Sequence, residues 1–250
     1  ACANNRGELF KEIERLGVPI HILETTTHYR PYYSLFARIK AIKSFFKKQN
    51  YDIIHSWHWS SDWTEVVAAR WAGSKWLYTK KAMSWGNRHW KIRSYLANFI
   101  ITINDEMKDY FPNKRNQKLI PLGIDTDYYS PESFPKKDIQ KGTFNIITVA
   151  NLVPVKGIEI LISAIKILND ANIKLTVVGD DTNEYGQYLK VFCSENNMST
   201  QVEFLGKKMD VRPYHAIADL FVIPTLELGE GLPIAPLEAM ASGNIVIGSN

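Results

Sequence analysis

No run of 18 apolar residues occurs in the 250-residue chain, so no transmembrane helix is expected. The opening ACANNRGELFKEIERLG lacks a basic region followed by an apolar one, which excludes a secretion signal in that stretch. Cysteine occurs twice, at Cys2 and Cys193, too sparse and too widely spaced for a disulfide framework. A reducing cytosol is the expected compartment. Internal repeats and low-complexity segments are absent as well. The phosphate-cradling pattern GxxxxGK[ST] is missing, and no GxGxxG follows the strand that opens the second half, which argues against a dinucleotide site.

What is present suits a soluble globular chain, with 45% hydrophobic and 22% charged residues. The net charge of +4 conceals an uneven distribution. Residues 1–141 carry 23 Lys and Arg against 14 Asp and Glu, whereas residues 142–250 carry 7 against 12. Either the halves divide a task between them or these charges are simply solvated helix faces. Nucleic acid is not expected as a partner, because charge alone is unaccompanied by any binding motif.

The second half alternates with helix and strand periods. Expected strands are 145–151, 173–179, 202–206, 220–224 and 244–249. Helices are expected over 157–168, 184–197, near 212–218 and from about 234. Apolar runs alternating with helices of this length mean βαβ units and a parallel sheet covered on both faces. The first half repeats the theme, with strands expected at 18–23, 51–57, 75–79, 99–104 and 118–122 and an amphipathic helix at 34–49. SPESFPKKDIQKG has the proline and charge of a linker. The expected division is a domain over 1–131, a linker over 132–141 and a second domain over 142–250.

Ligands of parallel α/β sheets bind beyond the carboxyl ends of strands. ELGEGLP follows the strand LFVIP, so Glu230 and Gly231 should occupy that rim. Glu238 lies eight positions on, within the small-residue run EAMASG. A carboxylate there can accept two hydroxyl hydrogen bonds, as a ribose diol offers. The helix from 234 would point its positive end at the same place. A second loop, ANLVPVKGIEIL, puts Lys156 just before a helix, where a phosphate would meet both an ammonium and a helix N-terminus. Phosphate, ribose and a further hydroxylated group together describe a nucleotide sugar.

At these residues the chain resembles a known family. VANLVPVKG, VEFLGKKMDVRPYHAIADLFVIPT and EGLPIAPLEAMASG are similar to the donor domain of family 4 retaining glycosyltransferases. LIPLGIDTDYYSPES resembles the crossing segment before that domain, and YDIIHSWHW the acceptor-domain strand ending in histidine. The resemblance implies an α/β protein of GT-B fold, two Rossmann-like parallel-sheet domains facing across a cleft, here incomplete at both ends. It implies transfer of a sugar from a nucleoside diphosphate to a glycan or lipid-linked acceptor, with retention of anomeric configuration. Carried over, Glu230 binds the donor sugar, Glu238 the ribose and Lys156 the diphosphate, with Gly231 and Leu232 contributing backbone donors. Gly206 and Lys207 would border the base. Asn151 stands where the family often has arginine, and Lys80 and Lys81 where a histidine often follows the strand. Glu230 and Lys156 are thus the candidate catalytic residues, and His55 and Lys81 the acceptor-side candidates. A nucleotide-sugar epimerase and a non-catalytic donor-binding subunit are the alternatives.

No metal or other cofactor is expected, since cationic donors can steady a leaving diphosphate by themselves. DTD at 125–127 reads as a turn, with Asp125 capping it, and Asp180 and Asp181 read the same way. His55 is either a cleft residue or a satisfied core histidine. All seven tryptophans lie between Trp57 and Trp90. They either pack the core or offer a carbohydrate or anionic membrane surface their amphipathic rings. The expected location is cytoplasmic, with peripheral attachment at the inner face of the membrane.

Overall fold

A computed structural model describes residues 8–58, 60–81, 83, 87–134, 142–226 and 230–249. Cys2, Trp59, Trp85 and most of the 132–141 stretch lie outside the described residues. The chain forms two compact units, residues 1–120 and 121–250.

In the first unit, α1 (Glu8–Arg15), α2 (Leu35–Gln49), α3 (Thr64–Ala72) and α4 (Arg88–Leu96) accompany β1 (Ile53–Ser56), β2 (Lys75–Lys80), β3 (Phe99–Thr102) and β4 (Gln117–Leu119). The four strands run parallel in the order β1-β2-β3-β4. Helix α2 follows its apolar spacing: Leu35, Ile39, Ile42 and Phe46 are its buried residues, a stripe at helical period. It ends at Asn50 in the left-handed conformation, which asparagine tolerates. The expected strand at 18–23 is not formed beyond a single bridge residue, Ile22. The sequence pattern does not announce α3 or α4: in α4 aromatic and basic residues interleave and blur the period, and α3 buries mostly small or polar side chains, Thr64, Glu65, Ala68 and Ala69 beside Val66. Buried Arg93 links α4 to Ser56 of β1.

In the second unit, β5 (Phe144–Val149), α5 (Ile158–Leu168), β6 (Ile173–Val178), α6 (Glu184–Glu195), β7 (Val202–Phe204), α7 (Arg212–His215), β8 (Leu220–Ile223), α8 (Ala235–Ala241) and β9 (Ile245–Gly248) follow the expected alternation. The sheet is parallel in the order β7-β6-β5-β8-β9. Neighbouring residues of one strand enter opposite cores, as pleating requires. Ile146 and Val177 join the cluster under α5 and α6, while Ile147 and Val178 join the one with Phe221 and Ala239. A strand buried on both faces reads as a continuous apolar run, and NIITV is such a run.

The units divide at Ile120–Pro121 rather than within 132–141. Residues 121–134 belong with the second unit because Tyr129 packs against its Ile147–Phe221 core and hydrogen-bonds to α8. A proline-rich composition marks a segment without regular structure, and such a segment can still be bound to one side.

Candidate functional site

The order of strands in the second unit reverses at β5, which pairs with β6 on one side and β8 on the other. Loops leaving adjacent strands in opposite directions open a crevice at that point. Three elements close its floor. The loop after β5 and the loop after β8 are tied by the Leu226 N–H donating to the Val155 carbonyl at 2.8 Å. Gly157 follows Lys156 at φ +60°, and a Cβ there would collide with the Pro224 carbonyl oxygen. Glycine is thus required twice over, by backbone conformation and by contact. The Gly179 N–H donates to the Gly206 carbonyl at 3.1 Å, joining the ends of β6 and β7.

The resulting pocket, about 420 Å³, is lined by Asn151 and Lys156 from the β5 loop, Asp180 after β6, Lys207 and Lys208 after β7, and Glu230 after β8. The first unit holds a larger pocket of about 590 Å³ along β1, mostly apolar with His55, His58, Glu24 and Glu65 at its wall. Volume does not choose between them; the concentration of charged groups at strand ends favours the pocket in the second unit.

Lys156 is buried and its ammonium pairs with the Glu230 carboxylate. Burial lowers the Lys156 pKa, since desolvation disfavours the charged form. The second oxygen, Glu230 Oε2, is buried with no hydrogen-bond partner among the described residues. A buried acceptor left unmade costs about 1–3 kcal/mol, so this oxygen retains the capacity to accept a hydrogen bond.

The pocket therefore gathers Asn151, Lys156, Lys207 and Glu230 among the candidates. Gly206 lies at the end of β7 in the left-handed conformation and Gly231 and Leu232 continue from Glu230 towards α8; none of these three lines the pocket. Glu238 does not line it either. It lies on α8 one turn beyond Ala235, which does. Its Oε1 accepts the Tyr129 hydroxyl at 2.8 Å. Helix α8 has seven residues and no side-chain cap. At α5 the first N–H, of Ile158, is taken by the Tyr185 hydroxyl at 3.1 Å, and that hydroxyl donates to Glu159. The α5 terminus is thus already partly satisfied from within the protein.

Lys208 and Tyr129 were not singled out from the sequence. The doubled lysine of GKKMD is legible as charge, but that both lysines border the pocket is decided by the loop after β7. Asp180 keeps its turn role, accepting from Thr182 N–H at 3.1 Å and its hydroxyl at 2.6 Å, and in addition borders the pocket. Asp125 caps its own turn, accepting from the N–H groups of Asp127 and Tyr128 at 3.1 and 2.9 Å. Among the described residues no three His, Cys, Asp or Glu side chains gather as a metal site.

In the first unit, His55 Nε2 meets Thr79 Oγ1 at 3.0 Å, and burial lowers the imidazole pKa. Lys81 donates to the Trp57 carbonyl at 2.9 Å and lies 5.3 Å from the Trp57 ring centroid. The two acceptor-side candidates therefore form one cluster around Trp57. Most described tryptophans divide clearly: Trp76 is fully buried, whereas Trp57 and Trp71 are about half exposed. Arg93 is 1% exposed and lies 5.1–5.3 Å from the Trp76, Tyr78 and Trp90 rings. Its guanidinium donates to Ser56 Oγ at 3.0 Å and to the Ser60 carbonyl. An arginine among three aromatic faces is a strong cation–π site.

Two parallel-sheet units, the second with a charged pocket at its strand ends, define the class as ligand-binding α/β proteins. The Glycosyltransferase Family 4 model matches residues 1–128 and the Glycosyl transferases group 1 model residues 130–250. The chain belongs to the glycosyltransferases, the Family 4 model alone matching more than half of it. It is similar to the capsular polysaccharide biosynthesis glycosyltransferase CapH of Staphylococcus aureus, 28% identical over 265 residues, covering 100% of this chain and 72% of CapH. A glycosyltransferase structure from Rickettsia africae superposes with a TM-score of 0.81 at 19% identity, over 98% of this chain and 69% of that one. HepE of Anabaena, in complex with UDP and glucose, gives 0.76 at 19%, over 96% and 70%. Both structures share the GT-B fold with this chain.

Proposed function

We propose that the protein transfers a sugar from a nucleoside diphosphate to a glycan or lipid-linked acceptor with retention of anomeric configuration. The observation that carries this reading is the convergence of Lys156 and Glu230 from separate crossovers in one pocket at the β5–β8 reversal. The diphosphate takes Lys156, with Lys207 and Asn151 beside it. Glu230 accepts from a sugar hydroxyl through the oxygen that lacks a partner. Glu238 accepts from the ribose, and Gly206, Gly231 and Leu232 contribute backbone groups. Relatives support it: HepE was solved with UDP and glucose, and CapH is named for capsular polysaccharide.

In the reaction, the acceptor oxygen bonds to the anomeric carbon on the face from which the diphosphate leaves, and the acceptor proton passes to the leaving phosphate. Lys156 stabilises the charge developing on that phosphate, a contribution that grows as the bond breaks. The chain's own cations serve this purpose, so the reading includes no metal.

A lipid-linked acceptor calls for contact with an anionic bilayer surface. Residues 25–51 hold six Lys and Arg and no acidic residue. Tyr32, Tyr33 and Phe36 are exposed at the start of α2, a combination suited to an anionic interface. No described helix is long and apolar enough to cross a membrane.

Isothermal titration of the full chain with UDP- and GDP-sugars tests the donor role. Binding of one base class is expected; no heat with either base ends the proposal. Analysis of the product's anomeric configuration tests retention.

A further inference from the structure

We infer that Tyr129 is a positioning residue for nucleotide recognition, holding the Glu238 carboxylate in the orientation in which it accepts a ribose hydroxyl. This rests on the ribose role proposed for Glu238.

Tyr129 and Glu238 are 109 positions apart, yet the phenol donates to Glu238 Oε1 at 2.8 Å. It is the only side chain that bonds this carboxylate among the described residues. The direction of the hydrogen bond is fixed. Burial, and then the Glu238 carboxylate, push the phenol pKa well above its ordinary value, so the hydroxyl keeps its proton and the carboxylate can only accept.

The phenol is itself held. Its ring packs against the cluster containing Ile147, Val211, Phe221 and Ala239, the last adjoining Glu238 in sequence. Tyr128 meets it edge-on, with centroids 5.1 Å apart and planes at 82°. The Arg212 guanidinium lies 3.7 Å from the Tyr128 centroid and grips Asp210 with two nitrogens, at 2.9 and 2.7 Å. Asp125 then caps the N–H of Tyr128. The Tyr128–Tyr129 pair is therefore pinned at its backbone, at one ring face and in the core.

A free glutamate on a helix surface samples many rotamers and loses that freedom when it binds a ligand. Here the loss is taken in folding, because the phenol selects the rotamer before any nucleotide arrives. It occupies Oε1 and leaves Oε2 for a hydroxyl. The carboxylate stands one helical turn beyond Ala235 on the pocket wall. Preorganising an acceptor in this way raises affinity without adding a contact to the ligand.

The test is titration of UDP and GDP, each with its 2′,3′-dideoxy analogue, into the full chain, Tyr129→Phe and Glu238→Gln. The wild-type chain should prefer the ribonucleotide, and Glu238→Gln should lose that preference. Tyr129→Phe should weaken the ribonucleotide about five- to tenfold and leave the dideoxy nucleotide unchanged. Unaltered ribonucleotide binding by Tyr129→Phe, with the preference still lost in Glu238→Gln, overturns the inference and leaves the Glu238 role standing. Equal weakening of both nucleotides by Tyr129→Phe overturns it too, since that is the mark of a general structural role. A wild-type chain indifferent to the ribose hydroxyls removes the Glu238 role, and the inference with it.

Discussion

The Lys156 ammonium and the Glu230 carboxylate form an ion pair within one pocket, each compensating the other's charge before any ligand binds. On the proposed reading the diphosphate replaces Glu230 at Lys156, while a sugar hydroxyl approaches the Glu230 oxygen that the ion pair leaves open. In Glu230→Gln the ammonium is no longer held by a carboxylate. The bare nucleoside diphosphate should then bind about fivefold more tightly, whereas the sugar nucleotide binds more weakly. Paired calorimetric titrations read both. A loss for the two ligands alike contradicts the exchange.

Lys156→Ala separates phosphate from nucleoside recognition. Nucleoside diphosphate binding should fall about 10- to 100-fold, the range for a charge-assisted bond to a buried cation, with the nucleoside little affected. Equal losses would mean that the lysine maintains the shape of the loop instead of meeting the diphosphate.

His215 predicts an acid-side loss of stability. It is fully buried, neither ring nitrogen meets a partner at hydrogen-bond geometry among the described residues, and burial, opposed only in part by the Asn244 side chain, drives its pKa down to about 4 from 6.5. The unfolded chain binds the proton near pH 6.5 and the folded chain refuses it until about pH 4. Stability is complete above 6.5, falls as the pH drops towards 4, and changes little below that on account of this group. The whole effect is on the order of 3 kcal/mol. Urea melts at pH 7, 5.5 and 4 should show a steeper decline for the natural chain than for His215→Leu; parallel curves refute it.

Arg93 gives the clearest stability prediction in the first unit. Arg93→Met should destabilise by about 2–4 kcal/mol, through loss of the cation–π contacts and the hydrogen bonds to Ser56 and Ser60. Arg93→Lys should recover little, because an ammonium cannot bridge two acceptors in the plane of a fork. Thermal melts followed by tryptophan fluorescence report it directly, Trp76 and Trp90 being two of its aromatic partners. A lysine variant as stable as the natural chain would count against the fork geometry.

The parallel architecture of both halves was legible before any coordinates, because an alternation of apolar runs with 3.6-residue periodicity is a local property. NIITV and GIEILISAIKIL announce β5 and α5 through their own side chains. That Glu230 and Lys156 stand on loops at strand ends was equally legible, because those loops follow directly from the strand pattern. Where local pattern failed, a contact between distant residues had decided the outcome. Val18–Leu23 has the composition of a strand, but pairing with a neighbour is what makes one. In α4 the buried side chains are Arg93 and Ser94, the guanidinium facing rings of β2 and of α4 itself, and in α3 they are small or polar, Val66 apart; neither helix carries the aliphatic stripe that periodicity detects.

By itself, then, the sequence determined the βαβ order, the family and the strand-end loops that bear Glu230 and Lys156. Only the tertiary structure decided that Lys156 meets Glu230, that Lys208 joins the pocket, that residues 121–134 attach to the second unit and that Tyr129 takes hold of Glu238. The physical reason is one of range. Periodicity acts over a few residues along the chain, while the direction of a loop side chain is set by packing against groups as much as 109 positions away.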